Sequence, residues 1–277
     1  MPEKIDLHIH TAFSDGAYAP GEVVQKCVEA GLTKISITDH DSIDAIPQVS
    51  EIAQKHGIEV IPGVELSSEM MDNEVHILGY FLDITNKELI EYLRFFRDER
   101  LRRVGKIIKK LNNLGLEISI DDVIRDIPSY VAVGRPHIAQ AMFNKGLVSS
   151  YYDAFNKYLR NNGPAYEKKV HISPVSAYKI INEAGGLAVI AHPGNMQQDI
   201  LKYLIEAGAD GIEVIHPSHN DIMTRNYHEI ASAYFLLASG GSDFHGGKRN
   251  DEQNLGKFYI TTRYLDAMKQ RIIKNSA

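Results

Sequence analysis

Hydrophobic and polar residues alternate in short segments over the first eighty residues, and amphipathic helical patterns separate these segments. Residues 4–10 alternate Ile5, Leu7 and Ile9 with polar neighbours, which is the period of a β-strand. Further strands are predicted at 34–38, 58–64 and 75–81, and helices at 20–30 and 45–56. Because strands and helices take turns, the pattern predicts parallel strands with helices outside the sheet.

A helical segment interrupts this alternation after about residue 84. A long helical pattern rich in Arg and Lys covers residues 86–113, and shorter helices follow with no convincing strand between them. The shorter helices are predicted at 120–127, 136–145 and 152–159. Alternation resumes at Gly186, with strands at 187–191, 211–215, 235–238 and 258–261 and helices at 198–207, 221–234 and from Leu265.

Together these elements predict an α/β fold, a distorted (β/α)7 TIM-like barrel with an inserted helical subdomain. The barrel is expected in two parts, residues 1–84 and 166–277. The helical insertion at residues 85–165 is expected to act as a lid that sets substrate specificity.

Composition limits the class of protein. The chain has 277 residues, 44% hydrophobic and 24% charged, so it can bury a substantial core. Its single cysteine, Cys27, excludes a disulfide framework. Apolar runs are far shorter than the roughly 20 residues of a membrane helix, and the start lacks a signal-peptide layout, so a cytoplasmic location is predicted. A net charge of −6 argues against a non-specific coat of nucleic acid.

Histidines and carboxylates are concentrated at the ends of the predicted strands. His8 and His10 are two residues apart on the first strand, so both side chains point to one face. The other candidates of this kind are Asp15, His40, Glu65, His76, His192, Asp243 and His245. A single histidine at a strand end is more often a packed or capping residue, but so many together predict a catalytic metal site. Imidazoles and carboxylates without thiolates suit Mn, Fe or Zn, and the sequence does not select among them.

Several motifs resemble one family. They are HIH at 8–10 with Asp15, TDHD at 38–41, PGVE at 62–65, VHILGY at 75–80, AHPG at 191–194 and SDFH at 242–245. This set resembles the PHP family, named for polymerase and histidinol phosphatase. GRPHIAQAM at 134–142 and PAY at 164–166 are similar to its small stand-alone phosphoesterases. That branch includes phosphatases of nucleoside monophosphates and 3′,5′-bisphosphates and 5′→3′ exonucleases acting on short RNA.

The resemblance implies a site for three divalent metal ions. The first ion would be held by His8, His10, Glu65 and Asp243. The second would be held by a bridging Glu65 with His76 and His192. The third would be held by Asp15, His40 and His245. Asp39 and Asp41 are expected to orient these ligands. Three such cations and three carboxylates leave a surplus of about three positive charges, which a hydroxide and a phosphate anion would neutralise.

Substrate binding is expected to involve residues of the insertion and of one loop. By resemblance to the family, Arg135, His137 and His219 would bind phosphate, and Lys168 or its neighbour Lys169 could add a second contact. A surface salt bridge is the alternative interpretation of Arg135. The basic helical stretch 91–106 alternates with acidic residues, which favours a solvated face over an RNA track.

These observations predict a metal-dependent phosphoesterase. It would hydrolyse a phosphomonoester of a small nucleotide, a nucleoside mono- or 3′,5′-bisphosphate, by a metal-activated hydroxide. The main alternative is a 5′→3′ exonuclease on short oligoribonucleotides. An amidohydrolase-type hydrolase is less favoured because Glu65 stands where that class has a carboxylated lysine, and a non-catalytic metal-binding barrel would be expected to lose ligands. Neither a membrane nor a stable protein partner is implied.

Overall fold

The computed structural model describes residues 3–125, 127–128, 131 and 133–275. The chain divides into two compact units. The sheet unit comprises Met1–Glu91 and His171–Ala277, and the helical unit comprises Tyr92–Val170.

The sheet unit is built on seven strands that lie side by side in chain order. They are β1 Lys4–Ile9, β2 Leu32–Ile37, β3 Glu59–Met70, β4 Asn73–Tyr80, β5 Leu187–Ile190, β6 Gly211–Ile215 and β7 Leu237–Gly240. The pairs β1–β2, β2–β3, β5–β6 and β6–β7 are parallel. The fold is therefore α/β with a mostly parallel sheet.

The prediction of parallel strands throughout is wrong for β4, which runs antiparallel to both of its neighbours. Met71 and Asp72 form the two-residue connection from β3, and both have positive φ, 50° and 58°. Positive φ at both central residues is the geometry of a tight hairpin turn. A parallel crossover needs a dozen or more residues, and the chain between Met70 and Asn73 is too short for one.

Helices accompany the strands of the sheet unit. They are α1 Pro20–Glu29, α2 Ile46–Lys55, α7 Pro174–Glu183, α8 Gln198–Glu206, α9 Asp221–Ala233 and α10 Thr262–Asn275. The sequence patterns did not predict α7, although Ser173 caps it and Pro174 occupies its first turn. The strand predicted at 258–261 is reduced to an isolated antiparallel bridge between Ile260 and Ile5.

The helical unit has a hydrophobic core of its own. Its helices are α3 Lys87–Asn113, which begins in the sheet unit, α4 Ile120–Ile124, α5 Arg135–Asn144, α6 Tyr151–Ala154 and a π-helical turn at Phe155–Leu159. Leu111, Ile138, Met142 and Leu159 are fully buried in this core. Lys106 and Lys110, on the basic helix α3, lie 3.1 and 2.8 Å from the carboxylate of Glu167.

The core of the sheet unit orients the polar residues of β1. Ile5 and Leu7 are fully buried in one cluster with Leu78 and Val189. Because side chains alternate along a strand, His8 points to the opposite face from Ile5 and Leu7. Along the described residues, no helix combines the length and the apolar composition that a membrane crossing requires.

Two glycines allow a matched test of this packing. A Cβ on Gly241 would lie 2.5 Å from the backbone nitrogen of His8 and 2.6 Å from Asp6 Oδ1, whereas a Cβ on Gly105 in α3 meets nothing within 4 Å. We expect Gly241→Ala to lower the free energy of unfolding by about 1–3 kcal/mol through overpacking. Gly105→Ala should raise it by about 0.5–1 kcal/mol, because alanine is the better helix former. Urea unfolding of both variants measures this, and a fully stable Gly241→Ala protein would contradict the close approach.

Candidate metal centre

Glu65 on β3 lies at the centre of a buried cluster, with its side chain 1% exposed. Its Oε2 atom is 3.3 Å from His8 Nε2, 3.2 Å from His10 Nε2 and 3.2 Å from His40 Nδ1. His8 lies on β1 and His10 directly follows it, and His40 follows β2. One carboxylate oxygen thus faces imidazoles from two neighbouring strands.

The second oxygen of Glu65 faces two further histidines. Oε1 is 2.8 Å from His76 Nδ1 on β4 and 2.9 Å from His192 Nε2 after β5. The two ring nitrogens are 3.3 Å apart. Glu65, His76 and His192, which the family resemblance assigns to the second ion, lie close together. His40, Glu65 and His76 also have ligand atoms close enough to share an ion.

Asp243, in the loop after β7, completes the group around His8 and His10. Its Oδ1 atom lies 3.2 Å from His8 Nε2 and 3.3 Å from His10 Nε2. The ligand atoms of His8, His10, Glu65 and Asp243 all lie within 4.8 Å of one another. This set is the one expected for the first metal ion.

Asp15 is the centre of a third group. Its Oδ1 atom is 3.1 Å from His245 Nε2 and 3.9 Å from both His10 Nδ1 and His40 Nε2. His10 thus joins the three residues expected for the third ion. The other oxygen of Asp15 accepts a hydrogen bond of 2.6 Å from Arg249.

Asp39 and Asp41 support the loops of the site. Asp39 accepts hydrogen bonds from the backbone N–H and the hydroxyl of Thr11, at 2.8 and 2.7 Å, and so fixes the loop that leads to Asp15. Burial raises the pKa of Asp39 to about 6. Asp41 accepts a hydrogen bond of 2.9 Å from the backbone N–H of Ser67, two residues after Glu65 on β3.

Sequence reasoning missed Glu213 and His216. Glu213 lies on β6, with its Oε1 atom 3.0 Å from His8 Nδ1, and it is fully buried. His216 follows the same strand, and its Nε2 atom is 3.3 Å from Asp243 Oδ2. The sequence does contain a signal for Glu213, because it is the single charged residue in the otherwise apolar strand GIEVI, and a charged residue in such a place is rarely buried without a partner.

Two of the residues predicted to bind substrate, Arg135 and His137, have hydrogen-bond partners within the helical unit. Arg135 donates to the Leu159 carbonyl oxygen at 3.0 Å and to Asn161 Oδ1 at 2.8 Å. His137 Nδ1 accepts a hydrogen bond from the backbone N–H of Gly134 at the start of α5, and Lys168 is exposed. For these residues, the role in substrate binding stays a prediction.

His219, the fourth predicted substrate contact, is buried with both ring nitrogens in use. The backbone N–H of Gly194 donates to its Nε2 at 3.1 Å, and its Nδ1 donates to the Val214 carbonyl oxygen at 2.9 Å. These bonds tie the loop after β5 to β6. The geometry therefore fits a structural contact between two loops, and a phosphate contact stays a prediction.

Electrostatics in the cluster favour cations. Burial disfavours the ionised form of Glu65, but the charged imidazoles around it outweigh this effect and hold the pKa of this carboxyl well below its usual range. Burial also disfavours a charged His10, whereas Asp243 and Glu65 raise its pKa to about 10. In contrast, burial lowers the pKa of His40 to about 3. The carboxylates thus create a field that attracts positive charge, while His40 is kept neutral as a metal ligand must be.

The donor set fits divalent cations. Buried polar atoms of the cluster that lack a hydrogen-bond partner among the described residues include His10 Nδ1, Asp15 Oδ1, His40 Nδ1, His216 Nε2 and His245 Nε2. A buried polar atom without a hydrogen-bond partner destabilises the folded protein. The Nε2 atoms of His8 and His10 are 3.2 Å apart, and His76 Nδ1 is 3.3 Å from His192 Nε2, so both nitrogens of a pair cannot be donors. Nitrogen and oxygen donors without thiolates suit Zn, Mn or Fe ions.

A cavity of about 260 Å³ opens beside His76 and His192. Its wall includes apolar atoms of Pro193, Met196 and Ile200. A partly apolar cavity next to polar ligands is typical of a site that takes the organic part of a small substrate.

Comparisons with known proteins agree with this geometry. A family model described as the PHP domain matches residues 6–165. The 3′,5′-nucleoside bisphosphate phosphatase of Chromobacterium violaceum is 33% identical over 248 residues, covering 87% of each chain. The 5′-3′ exoribonuclease Rnm of Escherichia coli is also 33% identical over 248 residues, covering 87% of this chain and 84% of the relative.

A solved structure from Bifidobacterium adolescentis, described as a metal-dependent phosphoesterase, superposes with a TM-score of 0.86. It is 29% identical, and the match covers 98% of both chains. The family model spans more than half of this chain, and the two enzymes align with most of it. The chain therefore belongs to the PHP family.

Proposed function

We propose that this PHP-family phosphoesterase hydrolyses a phosphomonoester of a small nucleotide, a nucleoside mono- or 3′,5′-bisphosphate. The observation that carries the proposal is the convergence of five imidazoles on the Glu65 carboxylate. The relative from Chromobacterium violaceum, named as a 3′,5′-nucleoside bisphosphate phosphatase, supports the substrate class. The amidohydrolase alternative is disfavoured because Glu65 stands where that class has a carboxylated lysine.

The three groups of ligands lead us to propose three divalent ions. The residues would be His8, His10, Glu65 and Asp243 for the first, Glu65, His76 and His192 for the second, and Asp15, His40 and His245 for the third. Glu65 is common to the first two groups, and His10 and His40 each face both Asp15 and Glu65, which supports closely spaced ions. Mn, Fe and Zn all suit these donors.

Divalent ions in such a site polarise phosphate oxygens and lower the pKa of a coordinated water toward neutrality. The chain's own residues prepare that chemistry. Glu65 holds both of its oxygens toward ring nitrogens, so the imidazoles are oriented before substrate arrives. The burial of His8, His10 and His245 excludes bulk water and strengthens every charge interaction inside.

The phosphate groups and the nucleoside of the substrate would also contact residues other than the metal ligands. We propose that Arg135, His137, Lys168 and His219 bind its phosphate groups, and that the cavity beside His76 takes the nucleoside. The planar fork of Arg135 matches a phosphate, which supports its role. The helical insertion, residues 85–165, would then set specificity.

We also propose that the sheet closes into a distorted (β/α)7 barrel. Ile9, at the end of β1, forms a parallel bridge with Phe244 after β7, and Ile5 bridges Ile260. Such bridges between the first strand and the last segments support closure. In a barrel, the carboxyl ends of the strands would converge on one site.

A 5′→3′ exonuclease on short oligoribonucleotides is the second candidate. The favouring observation is that the Escherichia coli relative, named as a 5′-3′ exoribonuclease, matches with the same identity as the phosphatase. One phosphate-binding site could serve either substrate, because both present a terminal phosphate.

A substrate panel tests the proposal. We expect the Mn²⁺-loaded protein to release phosphate from AMP or adenosine 3′,5′-bisphosphate, and chelation to abolish release because the ligand set requires cations. Histidinol phosphate and a 5′-phosphorylated RNA tetramer complete the panel. Stepwise shortening of the tetramer would make the exonuclease the primary function. Inactivity of metal-loaded protein on every substrate would contradict the nucleotide class.

Glu65→Gln tests the centre of the cluster. The change keeps the volume but removes the negative charge that faces the imidazoles, so we expect metal affinity to fall by more than about 100-fold, with activity falling in parallel. Metal content and phosphate release measure this. Glu69→Gln on the same strand, outside the three ligand groups, is the control. Full activity and full metal content in Glu65→Gln would refute the bridging role.

Arg135→Ala tests substrate binding by the helical unit. We expect KM for phosphorylated nucleotides to rise about tenfold or more while kcat changes little, because a charged hydrogen bond of about 1.5–3 kcal/mol is lost in ground and transition states alike. Arg125→Ala, an exposed arginine of the same unit, is the control. A lower melting temperature with an unchanged KM would assign Arg135 to its contacts with Leu159 and Asn161 alone.

A further inference from the structure

Glu213 is a buried carboxylate to which the three groups of ligands give no role. It lies in the middle of β6, is 0% exposed, and its strand neighbours Ile212 and Val214 are buried and apolar. A buried charge costs several kcal/mol unless it is paired and hydrogen-bonded. Both oxygens of Glu213 are engaged, each with a different metal-ligand residue.

The first oxygen of Glu213 fixes the chemical form of His8. His8 Nδ1 lies 3.0 Å from Glu213 Oε1, and a carboxylate can only accept, so Nδ1 carries the proton. The lone pair of His8 is then at Nε2, the atom that faces Glu65 and Asp243. A ligand imidazole is oriented in this way when its other nitrogen donates to a carboxylate.

The second oxygen of Glu213 holds the backbone that carries His192. The N–H of His192 donates to Glu213 Oε2 at 2.7 Å. His192 has a φ of 23°, a region that residues other than glycine rarely adopt, so the surrounding bonds must hold it there. With the backbone in this conformation, the His192 side chain reaches Glu65 at 2.9 Å.

We propose that Glu213 is a positioning residue that couples the first and second metal positions. One carboxylate orients His8, a ligand in the first group, and His192, a ligand in the second. Loss of Glu213 therefore weakens both positions together, although Glu213 belongs to neither group. This inference rests on the metal centre of the proposed function.

The test compares Glu213→Gln with Asp210→Asn. The glutamine retains an acceptor for the His192 N–H, but an amide NH₂ placed against His8 Nδ1 disfavours the form that binds metal. Asp210 is the matched control, since it accepts a hydrogen bond of 2.9 Å from the backbone N–H of Ala188 but contacts no histidine of the cluster. In a Mn²⁺ titration we expect Glu213→Gln to lose about 10–100-fold in affinity at the first position. Glu213→Leu, which removes both acceptors, should lose affinity at both positions, and Asp210→Asn should keep native affinity.

A second measurement needs no variant of Glu213. In native protein loaded with Zn²⁺ and labelled with ¹⁵N-histidine, His8 should show a protonated Nδ1 and a metal-bound Nε2, with the signal assigned by its loss in His8→Asn. A metal-bound Nδ1, or native affinity in a folded Glu213→Gln protein, would overturn the positioning role. Weakening at one position only in Glu213→Leu would overturn the coupling. Native protein that binds metal yet releases no phosphate would refute the proposed function and leave the role of Glu213 standing.

Discussion

The carboxylate of Glu65 is the constraint on which the site depends. A single buried carboxylate surrounded by five imidazoles is stable only if positive charge offsets its desolvation, whether from protons or from metal ions. Each imidazole comes from a different strand or strand end, apart from His8 and His10, which lie on β1 and directly after it. The sheet therefore has to place several strand ends at one point, and the apolar core behind β1 provides the rigid support for that placement.

The antiparallel hairpin of β3 and β4 has a direct consequence for this site. Ser67 pairs with His76 in the hairpin register, and residues directly opposite each other share a face of the sheet. Glu65 is two residues from Ser67 and so lies on the same face as His76. The tight turn at Met71 and Asp72 sets this register, and a slip of one residue would turn His76 away from Glu65.

The sequence predicts the candidate ligands better than it predicts how the strands pair. Local periodicity shows that two histidines spaced two residues apart on a strand share one face, and that an acidic residue directly after a strand lies at its end. The family motifs support the same placement. The direction of β4 depends on a turn, Met71-Asp72, that lacks the usual Asn-Gly signature, so local patterns mislead. Glu213 was missed for a different reason: its partners, His8 and His192, lie in distant parts of the chain, and only the folded structure brings them together.

The charges of the cluster also explain why a phosphate ester is a suitable substrate. Without a metal, carboxylates such as Asp243 raise the pKa of His10 to about 10, so protons occupy the place of cations. Metal binding must displace those protons, because an imidazole nitrogen cannot hold both. Three divalent ions, the number proposed above, would bring more positive charge than the carboxylates of the ligand groups, and an anionic phosphate would then restore the balance where a neutral amide could not. The same buried field that assembles the metal ligands thereby selects the charge of the substrate.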